Sequence, residues 1–151
     1  WAKSPAGAKG LMQLLSRTAR SLGVKDIYNP VENINAGVQH LKNLYDLFDS
    51  ADGTDRLLIS LAAYNIGQGH IRDARQLAVK MNLDPDSWES LAKTLPLLSF
   101  RKYYKSSKYG YCRGTEPVLY IKQIMIYYDI LKRRGIKHGE VQAKFRTTDV
   151  S

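Results

Sequence analysis

The sequence predicts an all-α domain in which several helices pack around one buried core. Apolar residues recur at spacings of three and four along most of the chain, which is the period of a helix. No two segments alternate apolar and polar residues in the way that would predict a pair of β-strands. A length of 151 residues fits one ordinary domain.

The first predicted helix covers residues 10–22. Leu11 and Leu15 lie one turn apart in this range, and Gly23 follows as a natural stop. The spacing predicts a helix whose leucine stripe faces the core. Further helices are expected at about 30–50, 56–64, 70–81, 84–96 and 115–134.

Two of these helices carry additional signals. Before the helix at 30–50, Asn29 is a suitable N-cap, Pro30 suits the first turn, and Glu32 is placed to complete a capping box. The range 56–64 is almost entirely apolar, which a strand or a buried helix would both explain. Its alanines favour a helix, and a helix that is apolar on every side is expected at the centre of the domain.

The net charge of +9 favours anionic partners. Residues 100–114 concentrate this charge, with five Lys or Arg residues and four tyrosines. Nucleic acid is not expected as a partner because no recognition motif is present. No apolar stretch is long enough to span a membrane, and no signal peptide is recognised.

No metal or cofactor is expected. The three histidines, His40, His70 and His138, stand singly and lack the spacing of metal ligands. The single cysteine, Cys112, excludes an internal disulfide and is interpreted as a small, partly buried side chain.

Four ordered blocks resemble the lytic transglycosylases with a soluble-type (SLT) catalytic domain. Residues 4–14 read SPAGAKGLMQL, residues 29–37 contain Asn-Pro, Asn-Ile and Ala-Gly pairs, and residues 62–69 read AAYNIGQG. Residues 111–128, which begin YCRGTE, resemble a membrane-bound branch of the same family. The resemblance covers roughly residues 2–134 and implies a lysozyme-like helical fold, similar to goose-type lysozyme, with a substrate groove.

The resemblance also implies an activity. Enzymes of this family cut peptidoglycan between N-acetylmuramic acid and N-acetylglucosamine, and one glutamate serves first as acid and then as base. The C6 hydroxyl of the muramoyl residue attacks its own C1, which gives a 1,6-anhydro product. That glutamate lies in a Glu-Ser-x-aromatic motif upstream of the serine that Ser4 matches, and no glutamate of this chain matches it. The chain by itself is therefore expected to be inactive.

The family's site residues carry over to seven positions. Ser4 and Glu116 match residues that support catalysis, although a turn serine and a helix-start acid would also explain them. The expected substrate-binding residues are Met12, Gln13, Tyr64, Asn65 and Tyr120.

Two other functions remain open: a lysozyme-like hydrolase that uses water, and a glycan-binding module without activity. The expected catalytic domain covers residues 1–135, followed by a loosely ordered tail at 136–151. The expected partner is the peptidoglycan glycan strand, with a solute-binding-like regulatory domain at the N-terminal side in the full-length protein. We expect a monomer in the periplasm or cell envelope, associated with the outer membrane.

Overall fold

A computed structural model describes residue 4 and residues 6–134 of the chain. These residues form helices and no named strand, which confirms the predicted all-α class. The expected tail at 136–151 lies outside the described residues. The helices are α1 (Ser16–Ser21), α2 (Pro30–Leu47), α3 (Gly53–Ile66), α4 (Gln68–Lys80), α5 (Trp88–Leu97), α6 (Arg101–Tyr104) and α7 (Thr115–Arg133).

Helix α3 occupies the centre of the fold, as its apolar sequence predicts. It packs against α2, α4, α5 and α7. Its buried side chains include Leu58, Ile59, Ala62 and Ala63, all at or below 8% exposure. Burial of large apolar side chains of this kind contributes about 1.5–3 kcal/mol each. Because four helices pack against α3, the residues at its C-terminal end are held in a defined position.

The predicted start of α2 is confirmed, except for the role of Glu32. The Asn29 side chain accepts hydrogen bonds from the backbone N–H groups of Val31 and Glu32. The Glu32 carboxylate does not close a capping box; it accepts the backbone N–H groups of Lys25 and Asp26 instead. It therefore orders the loop between α1 and α2.

The prediction of a helix over 10–22 is wrong for its first half, because α1 begins only at Ser16. Gly10 has a φ of +76° and Gln13 a φ of +50°, and both values turn the chain out of a right-handed helix. The segment forms a tight hairpin instead, closed by backbone hydrogen bonds of 2.9 and 3.0 Å between Lys9 and Leu14.

This hairpin reverses the expected burial of the leucines. Leu11 is 68% exposed and Leu15 is 48% exposed, whereas Leu14 is only 2% exposed. Exposed large apolar side chains next to each other commonly mark a binding surface. The leucines that periodicity assigns to the core therefore lie at the surface.

The loop between α6 and α7 crosses α5 at very short range. A Cβ atom on Gly114 would lie 1.7 Å from the carbonyl oxygen of Leu95, so only glycine fits there. The backbone N–H of Cys112 donates to the carbonyl of Leu98 at 3.2 Å. These contacts determine where α7 begins. Among the described helices, none combines the length and apolar character needed to cross a bilayer.

Candidate functional site

An open groove of about 730 Å³ runs between the N-terminal hairpin, the end of α3 and the start of α7. All seven residues predicted from the sequence as site residues line it: Ser4, Met12, Gln13, Tyr64, Asn65, Glu116 and Tyr120. Its other lining residues are Ala6, Ala8, Leu11, Leu15 and Arg113. A lining of mainly apolar surface with a few polar groups is typical of ligand sites.

The Asn33 side chain of α2 holds the hairpin in place by hydrogen bonds to its backbone. This side chain is fully buried. The Oδ1 atom accepts the backbone N–H of Met12 at 2.7 Å, and Nδ2 donates to the carbonyls of Lys9 and Ile27 at 3.2 and 2.8 Å. A Cβ on Gly10 would lie 2.3 Å from Nδ2 of Asn33, so glycine lets the hairpin approach.

Met12 is fixed at the groove from two further directions. A Cβ on Gly37 would lie 2.6 Å from Cβ of Met12, so α2 leaves room for this side chain only at a glycine. The Tyr64 hydroxyl donates to the Met12 carbonyl at 2.7 Å.

The next residue, Gln13, donates from Nε2 to the carbonyl of Gly10 at 2.8 Å. The positive φ of Gln13 is a strained conformation of the sort that clusters at functional sites.

Ser4 stabilises a turn at the edge of the groove. Its Oγ accepts the backbone N–H of Ala8 at 3.0 Å. Its own N–H donates to the Ala8 carbonyl, and its carbonyl accepts from Gly7, both at 2.9 Å. Among the described residues, no acceptor takes the hydroxyl hydrogen of Ser4, so this hydroxyl can donate to a ligand.

Two half-buried tyrosines line the middle of the groove. Burial raises the pKa of Tyr64 to about 12, and the neighbouring Tyr120 hydroxyl contributes to this rise. Burial also raises the pKa of Tyr120. Both phenols are therefore protonated hydrogen-bonding groups at neutral pH.

A histidine lies next to one of these tyrosines. The His40 ring lies 5.2 Å from the Tyr64 ring, and burial lowers the pKa of His40, which favours a neutral imidazole.

The opposite side of the groove carries an ion pair. Arg113 Nη1 lies 3.4 Å from Glu116 Oε1, and the two side chains are 73% and 58% exposed. The hydrogen bond to Glu116 raises the pKa of Arg113. Glu116 is the one carboxylate among the described lining residues. A catalytic acid needs a water-poor, apolar pocket, which an exposed carboxylate beside a guanidinium does not have.

A second pocket of about 260 Å³ extends the groove past Tyr64 toward α2 and α4. The two pockets share Gln13, Leu15, Tyr64 and Asn65. The extension also contacts His40 and Gln68. The two pockets therefore lie next to the same four side chains.

Sequence reasoning missed several parts of the site. Arg113 is visible in the sequence only as one of many basic residues, and His40 only as an isolated histidine. Leu11 is assigned to a core stripe although it lines the groove. Asn33 belongs to a family-like block, but a buried side chain that makes three hydrogen bonds leaves no local signal in the sequence.

Metal ligands do not gather in the described residues, where no three His, Cys, Asp or Glu side chains are placed to hold an ion. The absence of a metal cofactor stays a prediction. The sequence predicts a partly buried Cys112, and the structure shows this residue buried. Burial raises the pKa of the Cys112 thiol to about 11. Such a thiol is a poor nucleophile or ligand at neutral pH.

Comparison with known proteins adds three findings. The family model described as "Transglycosylase SLT domain" matches residues 1–84. A membrane-bound lytic murein transglycosylase F from Desulfosudis oleivorans is 51% identical over 135 residues, covering 89% of this chain and 30% of that protein. A membrane-bound lytic murein transglycosylase F from Shewanella sediminis is 45% identical over 131 residues, covering 86% of this chain and 27% of that protein. A membrane-bound lytic murein transglycosylase F 2 from Alkalilimnicola ehrlichii is 43% identical over 133 residues, covering 87% of this chain and 30% of that protein. The chain thus spans less than a third of the length of these relatives.

Proposed function

Because the chain belongs to the transglycosylase SLT domain family, we propose that its groove binds peptidoglycan glycan strands for cleavage by a lytic transglycosylase reaction. The bond broken joins N-acetylmuramic acid to N-acetylglucosamine, and the product carries a 1,6-anhydromuramoyl end. The observation that carries this proposal is the single groove that brings all seven family-matched residues together.

The lining of the groove supports a saccharide ligand. Sugar rings have apolar faces and polar edges, and the exposed Leu11 and Leu15 offer apolar contact area. Gln13 and Asn65 are exposed amides that suit acetamido and hydroxyl groups. We propose that these side chains bind the strand, with Met12, Tyr64 and Tyr120 shaping the groove.

The chemistry needs only one acid–base group, because the nucleophile is a hydroxyl of the substrate itself. We propose that Glu116 and Ser4 support the reaction and that the acid–base glutamate lies outside the described residues. Glu116 is exposed and paired with Arg113, so it suits orienting the substrate better than protonating a glycosidic oxygen. Under this proposal the 151-residue chain binds glycan without cutting it.

Incubating the chain with purified sacculi and analysing the released material by mass spectrometry tests the proposal. We expect no soluble muropeptides from this chain. A longer protein that includes a Glu-Ser-x-aromatic segment before Ser4 should release products with 1,6-anhydro ends. Products with free reducing ends would indicate a hydrolase and contradict the transglycosylase reaction. Release of anhydro products by the 151-residue chain alone would mean that the catalytic acid lies within this chain. Glu116→Gln would then be the first variant to examine.

The similar proteins are named as membrane-bound, so we propose a location in the cell envelope, in the periplasm at the outer membrane. The net charge of +9 is consistent with an anionic envelope polymer as partner. The regulatory solute-binding-like domain and the monomeric state stay predictions. Size-exclusion chromatography with light scattering would test the second of these directly.

A further inference from the structure

A basic surface lies on α6 and on the loop that follows it. It consists of Arg101, Lys102, Lys105 and Lys108, all of which are exposed. The first three of these, together with Ser106, line a shallow depression of about 540 Å³. No Asp or Glu occurs in the sequence between Glu89 and Glu116. Within the described part of the chain, none of the four cationic groups pairs with a carboxylate.

Two tyrosines in edge-to-face contact link the basic surface to the segment that carries Arg113. The Tyr104 ring of α6 meets the Tyr111 ring edge-on, with 5.7 Å between their centroids. Tyr111 precedes Arg113 by two residues, which is at most about 7 Å of chain. Arg113 itself lines the groove. The helix that carries Arg101 and Lys102 therefore packs against the segment that contributes Arg113 to the groove.

The loop that carries Lys108 is held in a defined position. The buried carboxylate of Asp73, 2% exposed, accepts the backbone N–H of Lys108 at 3.0 Å and that of Tyr109 at 2.8 Å. The Tyr109 ring lies against Gly69, where an added Cβ would come within 2.6 Å of it. These contacts fix the backbone at Lys108, which lowers the entropy cost of binding an anion at that residue.

We propose that the basic surface binds the carboxylates of the peptides that branch from the glycan strand. This inference rests on the proposed function, because it requires a strand in the groove. The peptides are attached to the muramic acid residues and carry free carboxylates. A four-residue peptide extends at most about 14 Å, and the contact between Tyr104 and Tyr111 brings the residue before Lys105 near the segment that carries Arg113.

The position of the surface favours this ligand over lipid or nucleic acid. A lipid headgroup or a nucleic acid backbone would bind the cations without any need for the adjoining groove. Single exposed ion pairs contribute about 1 kcal/mol or less and weaken with salt. Binding through this surface should therefore depend on several cations together and on ionic strength.

The test compares two forms of one ligand. Soluble, uncrosslinked glycan strands with tetrapeptide stems are used either as such or after conversion of the peptide carboxylates to carboxamides. Binding to the 151-residue chain is measured by calorimetry at low and moderate salt. We expect amidation of the strands to weaken binding roughly tenfold at low salt, the effect of two or three exposed ion pairs.

The double variant Lys102→Glu/Lys105→Glu should lose a similar factor toward the native strands and almost none toward the amidated strands. Lys102→Arg/Lys105→Arg should retain the preference. The matched control is Lys25→Glu/Lys80→Glu, which changes the charge equally at exposed positions outside both the groove and the basic surface. Thermal unfolding of each variant checks that it folds.

Three outcomes would overturn the inference: equal wild-type affinity for both strands, equal losses in the control variant, or a loss that is the same on amidated strands. A loss confined to phosphatidylglycerol vesicles or single-stranded DNA would also overturn it. If the wild type binds amidated strands without preferring native ones, only this inference fails. If it binds neither, the proposed function fails as well.

Discussion

The Tyr64 hydroxyl donates a 2.7 Å hydrogen bond to the carbonyl of Met12, a residue 52 positions earlier in the chain. Tyr64 lies near the end of the central helix α3, and Met12 lies in the hairpin that forms one side of the groove. The bond therefore ties the hairpin to the central helix. Tyr64 and Asn33 are the two side chains whose hydrogen bonds hold the hairpin from other parts of the fold.

Tyr64→Phe removes the donor and keeps the ring. We expect a loss of about 1 kcal/mol in the free energy of unfolding, because the Met12 carbonyl loses a partner in a partly buried position. Affinity for glycan strands should also fall, since the hairpin is held less firmly. Urea unfolding and calorimetry with strands measure the two effects. The control is Tyr127→Phe at a side chain that is 65% exposed, and equal behaviour of the two variants would contradict the prediction.

Asn33→Ala removes the second support. The backbone N–H of Met12 and the carbonyls of Lys9 and Ile27 each lose a hydrogen bond to a fully buried side chain. We expect a cost of about 3 kcal/mol in the free energy of unfolding. The matched control is Asn43→Ala, since Asn43 is exposed and bonds only the Gln39 side chain. A cost below 1 kcal/mol at Asn33 would show that the hairpin does not depend on this residue.

The helical class and most helix positions follow from the sequence because the signals are local. Spacing of apolar residues predicts α2 and α7, and the cap at Asn29 forms as expected. The all-apolar segment becomes α3 because the surrounding helices bury it. In these elements short-range preference and tertiary packing agree, which is why periodicity is sufficient.

The hairpin is where local reasoning fails, for a physical reason. Leucines at 11 and 15 have helical spacing, yet Gly10 and Gln13 adopt positive φ and the helix does not form. The bonds from Asn33 and Tyr64 that stabilise this conformation come from distant parts of the chain. The seven residues carried over from the family line the groove, whereas periodicity assigned Leu11 and Leu15, which line it as well, to the core.

His40 should make stability depend on pH. Burial lowers its pKa in the folded protein below the 6.5 of the unfolded chain. The unfolded state therefore takes up the proton first as the pH falls, so stability is lost on going down from 6.5 through the folded pKa. Well above 6.5 both states are neutral and this contribution is constant.

Replacing His40 by Gln should remove that part of the pH dependence. Urea unfolding of wild type and variant at several values between about pH 5 and about pH 7.5 measures it. We expect the difference in unfolding free energy between the two proteins to change most steeply with pH below 6.5 and to level off well above it. Parallel curves over the whole range would contradict the prediction.

Cys112 should be unreactive in the folded protein. Its thiol is buried and its pKa is raised to about 11, first by burial and then by the charges of Asp73 and Glu116. At pH 8 about a thousandth of the thiol is ionised, so attack on an aromatic disulfide reagent should be very slow. Reaction should become fast in guanidinium. An exposed thiol, introduced as Ser21→Cys in a Cys112→Ser background, is the control; comparable native rates would contradict the expectation.

Asp73→Asn tests how firmly the loop before α7 is held. The two carboxylate oxygens of Asp73 accept adjacent backbone N–H groups, from Lys108 and Tyr109. An amide keeps one acceptor but points an NH₂ group at the second N–H, so one buried bond is lost at a cost of about 1–3 kcal/mol. Amide exchange at Lys108 and Tyr109 and tryptic cleavage in the loop should both accelerate. Asp129→Asn, at an exposed position on α7, is the matched control.

Unchanged amide exchange at Lys108 and Tyr109 in Asp73→Asn would contradict this prediction. It would mean that other contacts, such as that of the Tyr109 ring with Gly69, are sufficient to hold the loop.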